Sequence, residues 1–336
     1  CGGGLTGRAL RRIPVDPSPV VERSVDRFEL RLRYGASFSR THSAPLIVMT
    51  QRRRLDAFLA EQAVVAGAEL REGTPVSAIE SDDEGVSARV GTDCVRADVL
   101  VGADGANGIT AKAAGITSGI VRGVALEGNV RWDALQIDEL ERTAVIELAV
   151  VPGGYGWVFP KGDHANLGVG GWGHEGPRLR EHLARLATAH GVLLDELAEV
   201  RGHRLPMRRL GTPASAGRIL LVGDAAGLVD PLSGDGMYEA FTAARLAADA
   251  ILSGDVTLYD VELAGALDHH AAASWAAKHA FDRHPRLVFA AARAPRVFGV
   301  VAGLLCGDVG HPAEARGLAR HPLRLVARLA RGAPAP

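Results

Sequence analysis

The sequence predicts a mixed α/β fold: a parallel sheet, an inserted antiparallel sheet, and C-terminal helices. Two strand-to-turn motifs predict the parallel sheet. An apolar run precedes Gly102-Ala103-Asp104-Gly105, and a second run, Ile219–Val222, precedes Gly223-Asp224. Between the motifs lie several short runs typical of antiparallel strands, and the chain after Gly254 is mostly helical in pattern.

The composition narrows the class of protein before any motif is considered. With 336 residues, 47% of them hydrophobic, the chain can build one large domain or two modest ones. The net charge of −1 gives no reason to expect nucleic acid as a partner. Three cysteines are too few, and odd in number, for a disulfide framework, which favours a reducing compartment such as the cytoplasm. No histidine-rich stretch shows metal-ligand spacing, so no metal is expected.

The stretch Gly217–Leu252 is predicted to form a strand, a tight turn, a loop and a helix. Its candidate site residues are Gly223, Asp224, Pro231, Gly234, Gly236 and Met237. Ligands of open α/β sheets bind where strands end, so Asp224 could accept hydrogen bonds from sugar-like hydroxyls. Amides at the helix N-terminus could donate to an electron-rich ring edge or an anion. An ordinary strand–loop–helix with Asp235 as its capping residue is the alternative.

The motif around Asp224 resembles the second flavin-binding motif of FAD-dependent oxidoreductases related to para-hydroxybenzoate hydroxylase. Within that superfamily the chain is most similar to the geranylgeranyl reductase family, which writes this stretch much as GDAAGLVDPLSGDGMYEA stands here. The resemblance implies a Rossmann-like FAD-binding domain in which Asp224 binds the ribityl chain. It also implies that the turn at Gly236 and Met237 approaches the flavin ring.

The motif at Asp104 and Gly105 resembles the Asp-Gly motif of the same flavoproteins, which lies near the FAD pyrophosphate. Many members follow it with two arginines, where Ala111 and Lys112 stand here, so phosphate or nicotinamide contacts are left open. The resemblance assigns further FAD contacts to Cys1, Gly2, Gly4, Arg52 and Val76. It also leads us to expect that the first βαβ unit, with its GxGxxG turn, is missing from this chain.

Arg52 opens a predicted helix together with two further arginines. Cations oppose the dipole at a helix N-terminus, and a nearby phosphate would resolve that conflict, although a solvated helix start explains the pattern too. The loop at Cys1 could equally be a frayed terminus.

The insert Gly115–Leu205 is predicted to form the substrate domain. Tyr155, Trp157 and Phe159 alternate, so they share one strand face, and with Pro160 they form the candidate substrate pocket. An aromatic face suits an apolar, unsaturated ligand such as an isoprenoid chain, although simple core packing is the alternative. The geranylgeranyl reductases carry a similar stretch. Flavin-dependent halogenases carry a related one, from which Tyr155 and Phe159 depart.

A second glycine pattern, Gly168–Gly173, satisfies GxGxxG but is not interpreted as a dinucleotide site. The following helix begins late, behind Pro177, and Leu193–Val200 is predicted to be helical where a second strand is required. Glycines that allow close packing of a strand explain the pattern better.

The predicted domain organisation follows from these motifs. Residues 1–24, 45–115 and 206–254 form a discontinuous FAD-binding domain, 25–44 and 116–205 the substrate domain, and 255–336 a helical region. Within the last, Pro285–Cys306 is apolar with interspersed arginines and could make peripheral contact with a membrane, although helical packing explains it equally well. The oligomeric state is left open.

The reaction implied by the resemblance is reduction of C=C bonds in a geranylgeranyl or other isoprenoid chain by hydride from reduced FAD. Cys1 and Tyr155 are the candidate proton donors, and NAD(P)H or ferredoxin the candidate electron donor. Two alternatives remain: a monooxygenase or halogenase on the same fold, and a fragment that keeps the fold but cannot hold FAD.

Overall fold

The computed structural model describes residues 1–308, which form two compact units. The first unit comprises Cys1–Phe58, Gly123–Arg204 and the chain from Ala273, and the second comprises Leu59–Arg122 and Leu205–Ala272. In chain order the strands are β1 (Gly4–Thr6), β2 (Val21–Val25), β3 (Arg27–Leu32), β4 (Ser37–Thr41), β5 (Ile47–Thr50), β6 (Val76–Ser81), β7 (Val86–Val90), β8 (Asp93–Ala97), β9 (Leu100–Gly102), β10 (Ile120–Arg131), β11 (Thr143–Leu148), β12 (Tyr155–Pro160), β13 (His164–Trp172), β14 (Ala198–Arg208), β15 (Ser215–Ala216) and β16 (Ile219–Leu221). The helices are α1 (Gly7–Leu10), α2 (Arg52–Val65), α3 (Thr110–Ala113), α4 (Leu179–Ala189), α5 (Met237–Ser253), α6 (Leu258–Arg283), α7 (Pro285–Ala292) and α8 (Pro295–Cys306).

The main sheet of the first unit has the strand order β14-β10-β13-β12-β11-β3-β4. Strands β10, β13, β12 and β11 pair antiparallel in turn, as the alternating sequence pattern predicts. Strand β11 pairs parallel with β3, so the sheet is not wholly antiparallel. Because β3 comes from an earlier part of the chain and not from a hairpin with β11, no short turn forces an antiparallel pairing.

The two faces of this sheet have different neighbours. One face packs on α4 and forms an aliphatic core that includes Val145, Val158, Leu167, Leu183 and Leu186. The opposite face carries Tyr155, Trp157 and Phe159, because successive strand residues point to opposite sides. We call it the aromatic face.

Helices α7 and α8 pack over the outer strands of the aromatic face. The rings of Phe38 and Phe289 lie 5.3 Å apart, and Phe28 packs in a cluster with Ala302. Across residues 1–308, no single helix has the length and hydropathy of a membrane span; α7 and α8 reach them only as a pair bent by 88°. The predicted helical region continues to 336, and its part beyond 308 lies outside the described residues.

The second unit contains the strands that lead into the two sequence motifs. Strands β9 and β16 pair in parallel, with Gly102 opposite Leu221, so their carboxyl ends meet at one edge. Tyr259 of α6 donates a 2.6 Å hydrogen bond to the carbonyl of Leu221 and anchors the end of β16. On its other side β16 pairs antiparallel with β15, and β6, β7 and β8 form a separate antiparallel sheet in this unit.

One local prediction is wrong. Leu193–Val200 is predicted to be helical, yet only Leu194–Glu196 makes a short 3₁₀ turn before β14 begins and pairs with β10. Strand pairing overrides local propensity there.

Candidate functional site

The two strand-to-turn motifs meet in the second unit, at the shared carboxyl edge of β9 and β16. Short 3₁₀ turns, Gly105–Asn107 after β9 and Gly223–Ala226 after β16, pack against each other. Gly105 has a φ of +74° and Gly223 a φ of +54°, left-handed conformations that favour glycine. The two motifs, which are far apart in the sequence, therefore lie at one edge of the same sheet.

Asp104 uses its carboxylate within the chain. Its Oδ2 accepts hydrogen bonds from the amides of Ile109 and Thr110 at 2.7 and 2.9 Å and from the Thr110 hydroxyl at 2.7 Å. The residue therefore fixes the turn that leads into α3. Val76 and Asp104, both predicted site residues, line the same cleft of about 340 Å³.

Asp230, which the sequence analysis did not single out, organises the loop between Asp224 and α5. Its Oδ1 accepts the amides of Leu232 and Ser233 and the Ser233 hydroxyl, at 3.1, 2.7 and 2.7 Å. Gly234 then turns at a φ of +68° and donates its amide to the Asp230 carbonyl. An Asp followed by Pro231 and Ser is a sequence signal of such side-chain-stabilised turns.

Asp224 lies beside the N-terminus of α5. A Cβ built on Gly236 would lie 3.5 Å from Asp224 Oδ1, so the absence of a side chain at Gly236 keeps this approach open. Gly236, not Asp235, is the N-cap residue of α5, and Asp235, one residue earlier, accepts the amide of Met237 at 3.0 Å. A carboxylate, a glycine opening and a helix N-terminus at one sheet edge suit a ligand with hydroxyls and phosphates.

The glycine-rich loop Cys1–Gly4 lies in the first unit, directly on the aromatic face. A Cβ on Gly2 would lie 2.7 Å from Phe159 Cδ2 and 3.4 Å from Trp157 Nε1. Cys1 is exposed, and its Sγ accepts the amide of Gly3 at 3.4 Å. The structure thus brings together two sets of predicted site residues that are about 150 positions apart in the sequence.

Lys161 holds this loop in place. Its Nζ donates to the carbonyl of Gly2 and, at 2.9 Å, to the carbonyl of Thr50. Burial lowers the pKa of Lys161 from 10.5 to about 8, although Glu127 and Glu22 favour its charged form. Lys161 follows the aromatic motif directly, but nothing in the local sequence shows that it reaches the first residues of the chain.

Trp157 is the most buried residue of the aromatic strip, at 8% exposure. Its ring lies 6.0 Å from that of Tyr155 and 6.3 Å from that of Phe159, and Pro160 is buried at the end of the strand. The indole Nε1 donates to Asn166 Oδ1 at 2.8 Å, and Asn166 Nδ2 donates to Asn129 at 3.0 Å. The rejected GxGxxG pattern also belongs here, because its Gly168 gives room for the Trp157 ring.

Arg52 is the first residue of α2 and is exposed. It makes a two-point contact with Asp56, at 2.8 and 3.1 Å, across one turn of the helix. This i,i+4 pair offsets the unfavourable position of the cation at the helix N-terminus. No phosphate is needed to explain its conformation.

The second unit has a parallel sheet edge with a carboxylate, a glycine-rich loop and a helix N-terminus, which together define a dinucleotide-binding α/β protein. The family comparison names the dinucleotide. The chain belongs to the FAD binding domain family, whose model matches residues 20–252.

Two curated relatives are reductases of prenyl compounds. The chain is 33% identical over 229 residues to the chloroplastic geranylgeranyl diphosphate reductase of Arabidopsis thaliana, covering 62% of this chain and 48% of the relative. It is 32% identical over 228 residues to the digeranylgeranylglycerophospholipid reductase of Methanosarcina acetivorans, covering 63% and 56%. The chain thus spans about half the length of these relatives.

Solved structures share the fold across nearly the whole chain. A geranylgeranyl bacteriochlorophyll reductase-like protein of Thermoplasma acidophilum matches with a TM-score of 0.74 and 21% identity, covering 98% of this chain and 89% of that one. A flavin-dependent brominase matches with a TM-score of 0.72 and 17% identity, covering 98% and 88%. The likeness confirms the predicted FAD-dependent oxidoreductase fold.

Proposed function

We propose that this protein is an FAD-dependent reductase of C=C bonds in geranylgeranyl or related isoprenoid chains. The observation that carries the proposal is the contact of the glycine-rich loop at Gly2 with Trp157 and Phe159 on the aromatic face. This loop and this strip are two of the predicted site segments of the first unit. The prenyl-reductase names of the relatives support the same substrate class.

Asp224, the turn from Pro231 to Gly236 and the N-terminus of α5 would hold FAD. The fit depends on the open position at Gly236 and on the acceptor oxygens of Asp224 beside it. Backbone amides at the start of a helix suit phosphate or an electron-rich ring edge. When bound, FAD supplies a two-electron carrier that can deliver hydride.

The aromatic face would bind the isoprenoid chain. Tyr155 and Phe159 flank the buried Trp157, so the strip offers three rings to an apolar, unsaturated ligand. Hydrogen bonds through Asn166 fix the orientation of the Trp157 ring before any ligand arrives. A rigid apolar wall excludes water from the double bond and orients it.

The test begins with an absorbance spectrum of the purified protein with added FAD. Peaks shifted from those of free FAD are expected, and an Asp224→Ala variant should lose the shift. Geranylgeranyl diphosphate is then incubated anaerobically with the protein and chemically reduced FAD, and products are analysed by mass spectrometry. The gain of two hydrogens for each reduced bond is the expected result.

The outcomes separate the competing functions. Products that form only with oxygen, carrying hydroxyl or halogen, would overturn the proposal in favour of the monooxygenase or halogenase alternative. A flavin spectrum identical to that of free FAD would support the inert-fragment alternative. Asp56→Ala is a matched carboxylate control, since Asp56 pairs with Arg52 on an exposed helix surface and its loss should leave the flavin spectrum unchanged.

A further inference from the structure

Glu127 places a buried carboxylate on the aromatic face. In the register of the sheet, Glu127 of β10 lies opposite Gly168 of β13, and Gly168 lies opposite Trp157 of β12. Directly paired residues of antiparallel strands point to the same side, so Glu127 and Trp157 share a row with only a glycine between them. Glu127 is 7% exposed, and the sequence analysis did not single it out.

One oxygen of Glu127 is partnered and the other is not. Oε1 contacts the nitrogen of Cys1 and lies 3.6 Å from His203 Nε2. Oε2 is buried and has no hydrogen-bond partner within residues 1–308. A buried carboxylate oxygen without a partner is costly, so its presence beside an apolar wall calls for a functional reason.

His203 connects this carboxylate to solvent. Its side chain is 48% exposed on β14, the strand next to β10 in the sheet. Lys161, whose Nζ is held by two carbonyls, also faces Glu127. Burial raises the pKa of Glu127, and the neighbouring His203 lowers it.

We propose that Glu127 is the catalytic acid of the reduction and that His203 is the relay that recharges it from solvent. This inference rests on the proposed function and names the group that supplies its proton. His203 passes a proton from Nε2 to the Glu127 carboxylate, and Glu127 passes it to one alkene carbon. When bound, reduced FAD would supply the hydride for the other alkene carbon and would itself be oxidised by two electrons, so the C=C bond would become a C–C single bond with two new C–H bonds.

The geometry favours Glu127 over Cys1, one of the two proton donors predicted from the sequence. The Cys1 thiol is exposed and accepts a hydrogen bond from Gly3. Glu127 instead combines burial, an unpartnered oxygen beside the apolar wall, and an exposed histidine behind it. A water-poor pocket needs such a connection, because solvent cannot protonate the double bond directly.

The activity test compares Glu127→Gln with Cys1→Ser, Tyr155→Phe and Glu175→Gln. Glu175 is the matched control, because it is also buried and paired with a histidine, His182, at 2.9 Å. Reduction of geranylgeranyl diphosphate by reduced FAD should fall at least about 100-fold in Glu127→Gln and stay near wild type in Glu175→Gln. Equal rates in wild type and Glu127→Gln, or a loss confined to Cys1→Ser or Tyr155→Phe, would overturn the inference.

The relay is tested separately with His203→Asn and without turnover. His203→Asn should slow the reduction as Glu127→Gln does, since the group that passes a proton to the carboxylate is lost. In protein carrying isotope-labelled histidine, the ring nitrogen signals of His203 at neutral pH should change in Glu127→Gln and not in Glu175→Gln. Unchanged signals would refute the coupling even if the protein proves inactive on prenyl substrates. A coupled pair in a protein that binds FAD but reduces no alkene would instead refute the proposed function.

Discussion

The indole ring of Trp157 lies directly over the backbone of Gly168. A Cβ built on Gly168 would overlap Cζ2 and Cε2 of the ring and would lie 2.7 Å from Cη2. The ring is buried and hydrogen-bonded through Nε1, so it has no easy movement away. The glycine is therefore part of the aromatic face, because its missing side chain is the space that Trp157 fills.

Gly168→Ala should destabilise the protein by about 1–3 kcal/mol, the usual cost of overpacking a filled core. It should also reduce turnover of isoprenoid substrates by displacing the ring. Chemical denaturation measures the first effect and the anaerobic assay the second. Gly176→Ala is the control, because a Cβ there meets no atom within 4 Å. Equal stability of the two variants would contradict the packing argument.

Asn166 sets the orientation of the same ring. Asn166→Leu removes both the acceptor for the Trp157 indole and the donor to Asn129, leaving a buried N–H unpaired. The expected loss of unfolding free energy is about 1–3 kcal/mol. Denaturation midpoints of wild type and Asn166→Leu measure this loss, and equal midpoints would show that the indole hydrogen bond does not stabilise the fold.

Two parts of the candidate site, the sheet edge and the aromatic strip, could be predicted from local sequence patterns. Turns of glycine and aspartate after apolar strands predicted the sheet edge where Asp104 and Asp224 lie. Alternation with a period of two predicted the aromatic strip. Both signals reside within about ten residues of chain, so no knowledge of distant partners was needed.

The roles of the buried charged residues could not be predicted from the sequence, because their partners lie far away in the chain. Lys161 meets Gly2, and Glu127 meets His203, through pairings between distant parts of the chain. A lone Glu or Lys in an apolar strand carries no signal of its partner, since register determines what it faces. The wrong helix at Leu193–Val200 has the same origin, because β14 forms by pairing with β10.

Lys161→Met should change how stability depends on pH. The folded pKa of Lys161, about 8, lies below its ordinary value of 10.5, so the unfolded chain binds the proton more tightly. The charged lysine therefore costs stability fully below about pH 8, and this cost disappears as pH rises towards 10.5. At ~1.4 kcal/mol per unit, the cost is about 3 kcal/mol.

Wild type should accordingly gain stability relative to Lys161→Met between those two pH values, as measured by denaturation at a series of pH values. The methionine loses the hydrogen bonds to Gly2 and Thr50, which offsets part of its advantage at neutral pH. The difference in slope, not the absolute stability, is thus the informative quantity. Parallel curves for the two proteins would show that Lys161 is not held with a lowered pKa.

The variant Arg52→Ala tests whether the arginines at the start of α2 contribute to FAD binding. Its contact with Asp56 is exposed on both sides, so Arg52→Ala should change stability by less than about 1 kcal/mol. If Arg52 contacts a phosphate of FAD, the same variant should weaken FAD binding about tenfold, and added salt should reduce the difference.

The neighbouring Arg53→Ala is the matched control, since Arg53 is exposed on the same helix turn and should leave the affinity near wild type. Fluorescence titration of FAD into the three proteins measures each dissociation constant. Asp56→Ala adds a further check, because it removes the competing carboxylate and should not weaken binding. Wild-type affinity in Arg52→Ala would show that its pair with Asp56 alone explains the arginine at this helix start.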